Sequence, residues 1–368
     1  MTQIVKKRTA GGARTLDGRF VTSREIFQRE KFKIFATHWL CAGRVSELER
    51  PGRLFTVQLV DSNLLVVADG DEIRCFHNVC RHRGSLLVHE DSECGRIGSR
   101  IQCPYHAWTY SRSGELVAAP NMEEGSFDFS EHGLKPVACR VALGFVWVRL
   151  GQSGVDFDDF FRPLIAQVEP WSLDDLMVVR RIEYVVRANW KLLFQNYSEC
   201  YHCPGVHPAL NRLTPFLGSS NELSEGPILG GPMRLADDCQ SMSADGCAVG
   251  KFLPGLDRQQ LRSVVYYTVF PSTFISLHPD YVLIHRIQPV SERETKVSCE
   301  FLFSTESIHS NTFDPGPAVT FWDQTNLQDW QVCELTQQGM SADGYEPGPY
   351  SGLESIVAAF DRYYLSQI

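Results

Sequence analysis

Cys80-Arg81-His82-Arg83-Gly84 and Cys103-Pro104-Tyr105-His106-Ala107-Trp108 are the two stretches on which the reading of this chain turns. Each puts one thiolate and one imidazole two or three residues apart, so a tight loop can deliver both to one metal centre. Together the loops offer two Cys and two His. A structural zinc would take all four in a tetrahedron. An iron–sulfur cluster would instead take the two Cys on one iron and the two His on the other, and neutral imidazoles there raise the reduction potential above that of a four-Cys cluster. The setting favours the cluster. Both pairs fall in loops between short β-type runs rather than on a helix, and Arg83-Gly84 and Trp108 supply the flanks expected of a cluster shell.

The surrounding sequence supports a small antiparallel β domain. Leu54–Val60, Leu64–Val67, Ile73–Phe76 and Leu143–Leu150 read as strands, with hairpin-type turns at Asp69-Gly70 and Ser113-Gly114. The spacer between the two loops is expected to bulge over residues 90–100, where Cys94 has no partner in the pattern and reads as a free thiol. After Gly151-Gln152-Ser153-Gly154 the character changes. Asn189–His202 reads as a helix, Val264–Phe270, Tyr281–Ile287 and Lys296–Phe303 as strands, and Val319–Gln338 and Leu353–Leu365 as helices. Residues 222–256, rich in Gly and Pro, read as a long loop region of the lid or binding type. The expected division is a tail and helix over 1–35, the cluster domain over 36–150 and an α+β domain over 151–368, with a long helix laid on an antiparallel sheet.

Composition narrows the function. The chain has 368 residues, 43% of them hydrophobic and 21% charged, enough for a sizeable core. Lys plus Arg is 35 against 44 Asp plus Glu, a net charge of −9, which disfavours general binding to nucleic acid or anionic membrane. The basic residues Lys6, Lys7, Arg8, Arg14 and Arg19 read as a solvated tail. With neither a bilayer-length apolar run nor a signal-type segment, a cytoplasmic enzyme is the expectation. Its twelve Cys should then be thiols or metal ligands before they are disulfides.

A second constellation lies in Asn196-Tyr197-Ser198-Glu199-Cys200-Tyr201-His202-Cys203-Pro204-Gly205-Val206-His207-Pro208. On a helix Glu199 and His202 would share a face. Pro204-Gly205 would end that helix and let His207 fold back towards His202. Two imidazoles and a carboxylate from elsewhere would make a 2-His-1-carboxylate site with open positions for O2 and substrate. The competing reading is a zinc knuckle of Cys200, His202, Cys203 and His207. An electron-carrying cluster upstream argues against zinc, which accepts no electrons.

The pattern C-x-H…C-x-x-H, with CPYHAW in its second loop, resembles the Rieske family. The segment with His202 and His207 resembles the catalytic motif of Rieske non-haem iron oxygenases, and the resemblance runs from about residue 24 to 366. It implies a Rieske [2Fe–2S] cluster on Cys80, His82, Cys103 and His106. It implies a mononuclear Fe(II) on His202, His207 and Asp329, the last on the C-terminal helix, with Asp323 and Asp343 as fallbacks. It implies a START-like (helix-grip) catalytic domain, O2 as co-substrate, and a separate flavin or ferredoxin reductase that draws on NAD(P)H. It further implies a head-to-tail homotrimer in which Glu199 bridges the cluster of one subunit, at His106, to the iron of the next.

Glu199, and the segments Ile228–Met233, Ser241–Gly246 and Ser276–Tyr281, look like those of the glycine betaine and choline monooxygenase branch. That resemblance implies hydroxylation of an N-methyl carbon followed by loss of formaldehyde. A quaternary ammonium calls for aromatic faces, with Tyr201, Tyr267, Phe270, Tyr281 and Trp322 as candidates. The alternative is hydroxylation of an aromatic ring, for which Arg262 or Arg286 could aim at a substrate carboxylate. A pure electron-transfer protein is the remote alternative.

Overall fold

The computed structural model describes residues 12–49, 54–89, 100–123, 125 and 127–368. The chain forms two compact units. The smaller is Phe35–Val155; the larger is Asp156–Ile368 together with the segment that ends at Ile34.

In the smaller unit β1 (Leu40–Arg44), β2 (Leu54–Leu59), β3 (Ser62–Asp69), β4 (Glu72–His77), β8 (Pro136–Ala142) and β9 (Phe145–Arg149) form an antiparallel sheet in the order β1-β9-β8-β4-β3-β2. A second sheet holds β5 (Arg100–Gln102), β6 (Thr109–Ser111) and β7 (Leu116–Ala118). The β3–β4 turn closes with Asp69 opposite Glu72 and Gly70 at φ +63°, the left-handed conformation a two-residue hairpin demands. Leu65, Val67, Phe76, Ile101, Trp108 and Tyr110 form a core on which Cys80 and Cys103 are packed. Residues 90–99 of the expected bulge, Cys94 among them, lie outside the described residues.

The larger unit contains α1 (Arg19–Thr22), α2 (Arg24–Glu30), α3 (Phe157–Val168), α4 (Trp190–Tyr197), α5 (Cys203–Val206), α6 (Pro208–Leu213), α7 (Thr305–Ile308), α8 (Gly316–Met340) and α9 (Ser355–Gln367). Its sheet, all antiparallel, runs β10 (Leu176–Val186), β15 (Glu294–Ser304), β14 (Val282–Ser291), β13 (Thr273–Leu277), β12 (Ser263–Val269), β11 (Ile228–Arg234). Along α8 the buried residues Ala318, Trp322, Asn326, Trp330, Cys333 and Gln337 recur every three or four positions. That is the stripe of a helix lying on other elements, and α8 packs on β10 and α4. No helix among the described residues is long and apolar enough to cross a membrane.

Two expectations need correction. Residues 222–256 are not loop throughout, because β11 crosses them as the edge strand. An edge tolerates Pro232, and Gly231 is needed because a Cβ there would lie 2.3 Å from the Ser220 carbonyl oxygen. The helix at Asn189 ends at Tyr197 rather than His202. Pro204 sits in the first turn of α5, where its missing N–H costs nothing, so it starts a helix instead of ending one.

The segment ending at Ile34 is held to the larger unit by a buried ion pair. Lys191 Nζ lies 2.5 Å from Glu30 Oε1, and both side chains are fully buried. Trp190 Nε1 donates to Glu30 Oε2 at 2.9 Å, and the Tyr364 hydroxyl donates to Oε1 at 2.7 Å. The pair thus has the extra hydrogen bonds that a desolvated charge requires.

Candidate functional site

The two Cys loops of the smaller unit share one backbone plan. Gly84 N–H donates to the Cys80 carbonyl at 3.0 Å, and Ala107 N–H to the Cys103 carbonyl at 3.1 Å. Cys80 N–H donates to Ser85 O and Cys103 N–H to Trp108 O, both at 2.8 Å. The fifth residue of each loop is left-handed, Gly84 at φ +77° and Ala107 at φ +59°. Asn78, fully buried, fastens the first loop: Nδ2 donates to Val88 O at 2.7 Å, and Oδ1 accepts from Leu87 N at 3.1 Å and Val88 N at 3.0 Å.

Ligands of one kind face each other. The His82 and His106 rings are 4.7 Å apart, and His82 stacks on Trp108 at 4.8 Å. Burial pushes the Cys103 thiol up, and its neighbour Cys80 adds to that. Desolvation, then the charges of His82 and Arg83, hold His106 below its ordinary range, so it stays in the neutral form that binds a metal. Tyr110, which sequence reading passed over, sets its hydroxyl 3.3 Å from Cys80 Sγ and accepts from Arg81 N at 3.0 Å. Thiol beside thiol and imidazole beside imidazole suits a two-iron cluster with unlike ends. A single zinc would need all four ligand atoms at one point.

The larger unit gathers the second set. Among the described residues, the His, Cys, Asp and Glu ligand atoms that all come within 4.8 Å of one another belong to His202, His207 and Asp329. Asp329 Oδ1 lies 3.3 Å from His202 Nε2 and 2.8 Å from His207 Nε2. Metal–nitrogen bonds near ~2.1 Å set adjacent ligands about 3 Å apart, so the spacing fits one ion. The far side of each imidazole is engaged. His202 Nδ1 donates to Glu199 Oε1 at 2.6 Å, and His207 Nδ1 donates to Gln328 Oε1 at 2.8 Å. Those bonds fix the tautomer that leaves each Nε2 lone pair for the metal. Burial alone would lower the His202 pKa, but Asp329 and Glu199 carry it up to about 10, so an ion binding at Nε2 would displace a proton. Burial would raise Asp329, but the two imidazoles pull it down to about 2, so the carboxylate is ionised.

Glu199 is not one helical turn below His202. It lies beyond the end of α4, and Oε2 accepts the backbone N–H groups of Tyr201 and His202, the latter at 3.2 Å. Cys200 and Cys203 are bonded to each other, with Cα atoms 4.9 Å apart, which removes both from a zinc knuckle and corrects the expectation of thiols or metal ligands ahead of disulfides. No other disulfide forms among the described residues. Asp323 accepts from the Tyr184 hydroxyl at 2.7 Å and Asp343 is exposed, so neither fallback joins the site.

A cleft of about 890 Å³, its mouth included, opens on this site and is lined by Glu199, His202, His207 and Asp329 among others. Of the proposed aromatic wall only Trp322 lines it; Tyr197 and Tyr266 complete it, with Tyr266 5.9 Å from Tyr197 and 6.4 Å from Trp322. The other four aromatics are elsewhere. Tyr201 is 55% exposed. Tyr267 turns its hydroxyl to Glu222, and Phe270 packs on Trp190 and Phe360. Tyr281 lies behind Trp322, whose Nε1 donates to its hydroxyl at 2.7 Å. Tyr266 and Tyr267 are neighbours on one strand, and without register the sequence could not say which faces the cleft. No Arg or Lys lines it among the described residues. Arg262 donates to the carbonyls of Ala236 and Cys239, and Arg286 pairs with Glu300.

Two sets of ligand-type residues, one of paired Cys and His and one of two His and a carboxylate, are the sets a Rieske oxygenase needs. Residues 38–139 match the Rieske [2Fe-2S] domain and residues 173–368 match the ring hydroxylating alpha subunit (catalytic domain). The chain belongs to this family of ring hydroxylating alpha subunits and is an oxidoreductase. It is 30% identical over 364 residues to the glycine betaine monooxygenase oxygenase subunit of Pseudomonas aeruginosa, covering 90% of this chain and 83% of that one. With the corresponding subunit of Chromohalobacter salexigens the identity is 32%, over 92% and 82% of the two chains. The carnitine monooxygenase oxygenase subunit of Escherichia coli K12 is 34% identical over 54% of this chain and 53% of its own. The fold is that of the quaternary ammonium Rieske monooxygenase CntA, with a TM-score of 0.81 at 23% identity over 96% and 95% of the chains. Naphthalene 1,2-dioxygenase from Rhodococcus sp. shares it at a TM-score of 0.77 and 18% identity over 96% and 94%. An oxygenase subunit of a multicomponent system takes its electrons from a separate reductase.

Proposed function

We propose that this chain is a cytoplasmic monooxygenase that hydroxylates an N-methyl carbon of a quaternary ammonium compound, which then loses formaldehyde. In this reading Cys80, His82, Cys103 and His106 hold the cluster, and His202, His207 and Asp329 hold the iron. With electrons delivered through the cluster, the iron supplies the activation of O2. Tyr197, Tyr266 and Trp322 offer π faces to the methylated cation, while among the described residues the cleft brings no Arg or Lys to repel it. That aromatic wall, with no Arg or Lys among the described residues, is the observation on which the substrate class rests. The glycine betaine and carnitine relatives agree with it. Ring hydroxylation of an aromatic acid would want a cation in the wall, and Arg262 and Arg286 are engaged elsewhere.

The test is reconstitution with an NAD(P)H-dependent reductase against glycine betaine, carnitine, choline and a set of aromatic acids. Formaldehyde should come from the methylated amines alone. Oxygenated aromatic acid without formaldehyde would end the reading. The proposed assembly is a head-to-tail homotrimer in which Glu199 links the cluster of one copy to the iron of the next. Glu199→Gln should keep both metal centres and lose most turnover, with the cluster reduced but unable to discharge; a cluster that reoxidises at the wild-type rate in single-turnover experiments would refute the bridge.

A further inference from the structure

The proposed chemistry gives the Cys200–Cys203 bond no task. Yet that bond closes over Cys200-Tyr201-His202-Cys203, a stretch that contains a metal-ligand candidate and directly follows Glu199. Both cysteines line the cleft together with His202, His207 and Asp329. They differ in access. Cys200 is half-buried and adjoins the exposed Tyr201, whereas Cys203 is buried. A small reagent in the cleft mouth would meet Cys200 first, with Cys203 shielded behind it.

A purely structural role accounts poorly for such a bond. The restraint a disulfide places on the unfolded chain grows with the loop it closes, and this one encloses two residues. In the cytoplasmic setting proposed above, disulfides are rare, and those that occur are usually transient or redox-sensing. What the bond does restrain is the position of Glu199. Among the described residues every hydrogen bond of the Glu199 side chain ends inside the same loop, on the Tyr201 N–H, on the His202 N–H at 3.2 Å and on His202 Nδ1 at 2.6 Å. The His202 backbone is held from the other side, its carbonyl accepting from Gly205 N at 3.0 Å and Val206 N at 3.1 Å in α5. Beside the disulfide, Cys203 N–H donates to the Cys200 carbonyl at 3.2 Å. Opening the S–S bond would leave that backbone contact to keep the stretch with Glu199 and Tyr201 against the start of α5.

We propose that Cys200 and Cys203 are a thiol–disulfide exchange site for a small dithiol, and that the oxidised bond clamps Glu199 against His202. A thiolate of the dithiol attacks Cys200 Sγ, the Cys200–Cys203 bond breaks, and Cys203 leaves as a thiolate that takes up a proton. The reagent's second thiol, on losing its proton, displaces Cys200 from the mixed disulfide, and the Cys200 thiolate is protonated in turn. The protein gains two electrons and two protons, and the dithiol becomes a cyclic disulfide. An excess of that disulfide runs the exchange backwards. The exchange needs neither the ammonium reading nor the trimer. Its effect on iron rests on the ligand role proposed above for His202.

The test equilibrates the cluster-loaded enzyme with reduced and oxidised dithiothreitol at a series of ratios and counts thiols by alkylation, with the modified cysteines assigned by peptide mass. Cys200 and Cys203 should become reactive together while the protein is still folded. The dithiol is then removed anaerobically, the mononuclear ion is chelated, and the site is titrated with Fe(II). The reduced enzyme should bind Fe(II) about tenfold or more weakly than the oxidised one, the scale of a lost outer partner to a ligating His, with the cluster's visible spectrum unchanged. Cys200→Ser should bind Fe(II) as the reduced wild type does and show no response to the dithiol ratio. Should that variant fail to fold, the wild-type titration decides alone. A bond that resists reduced dithiothreitol until the protein unfolds overturns the exchange site. Equal Fe(II) affinity in the two redox states overturns the clamp. Absence of Fe(II) binding in both states overturns the ligand reading of His202 and the clamp with it, while the thiol count still decides the exchange site.

Discussion

The two ligand sets reach the same end by opposite routes. The cluster loops are local: each closes on itself through the same two backbone hydrogen bonds, and each Cys has its His two or three residues away. The proposed iron site is assembled at long range, for Asp329 stands 122 residues from His207 and reaches it only because α8 lies across α4 and the sheet. A site written into loops can be read from spacing. A site written into packing depends on neighbours that hold each ligand from behind, here Glu199 and Gln328.

The largest effect that would sharpen this contrast is Asp329→Ala. Iron content should fall by about one third, the mononuclear ion going while the two-iron cluster keeps its visible spectrum. Turnover should fall by more than about the hundredfold reached when a ligand's outer partner is lost. Loss of the cluster as well would break the claim that the two sets are independent. Gln328→Leu should come next. With no acceptor for His207 Nδ1, iron affinity is expected to drop about 10–100-fold, read by titration with Fe(II) and again without effect on the cluster. Tyr110→Phe reverses the direction of the test. A hydrogen bond worth about 1 kcal/mol corresponds to roughly 40 mV for one electron, so the cluster's potential should fall by about that amount while iron binding stays unchanged. Smallest of all should be Gly84→Ala. Nothing crowds a Cβ there, so the cost is the left-handed backbone alone, about 1 kcal/mol in the unfolding of the smaller unit, and Ala107 already sustains that conformation in the sister loop.

The same contrast governs what the sequence disclosed. Cys80, His82, Cys103 and His106 were legible because two short motifs with such distinctive flanks rarely arise together by chance. Most of the strands read from residue pattern lie in or overlap observed ones, and the two long C-terminal helices were placed to within three residues at each end. The polar partners were not legible. Asn78, Tyr110 and Gln328 act through geometry that a one-dimensional string does not hold, although Gln328 adjoins a proposed ligand and could have been suspected. The substrate wall failed for a different reason. Aromatic residues are common in cores, and four of the five candidates are spent on packing, internal hydrogen bonds or exposure. The helix end at Tyr197 was missed because a carboxylate, Glu199, captures the N–H groups that another helical turn would have used.

Glu30 has a consequence for how the polypeptide matures. Its ammonium partner is 161 residues further on and its phenol partner 334, close to the C-terminus. During synthesis the smaller unit, encoded between them, can complete itself while α2 still waits. A carboxylate made early on α2 is therefore buried only once α9, which carries its phenol partner 334 residues further along, has been made.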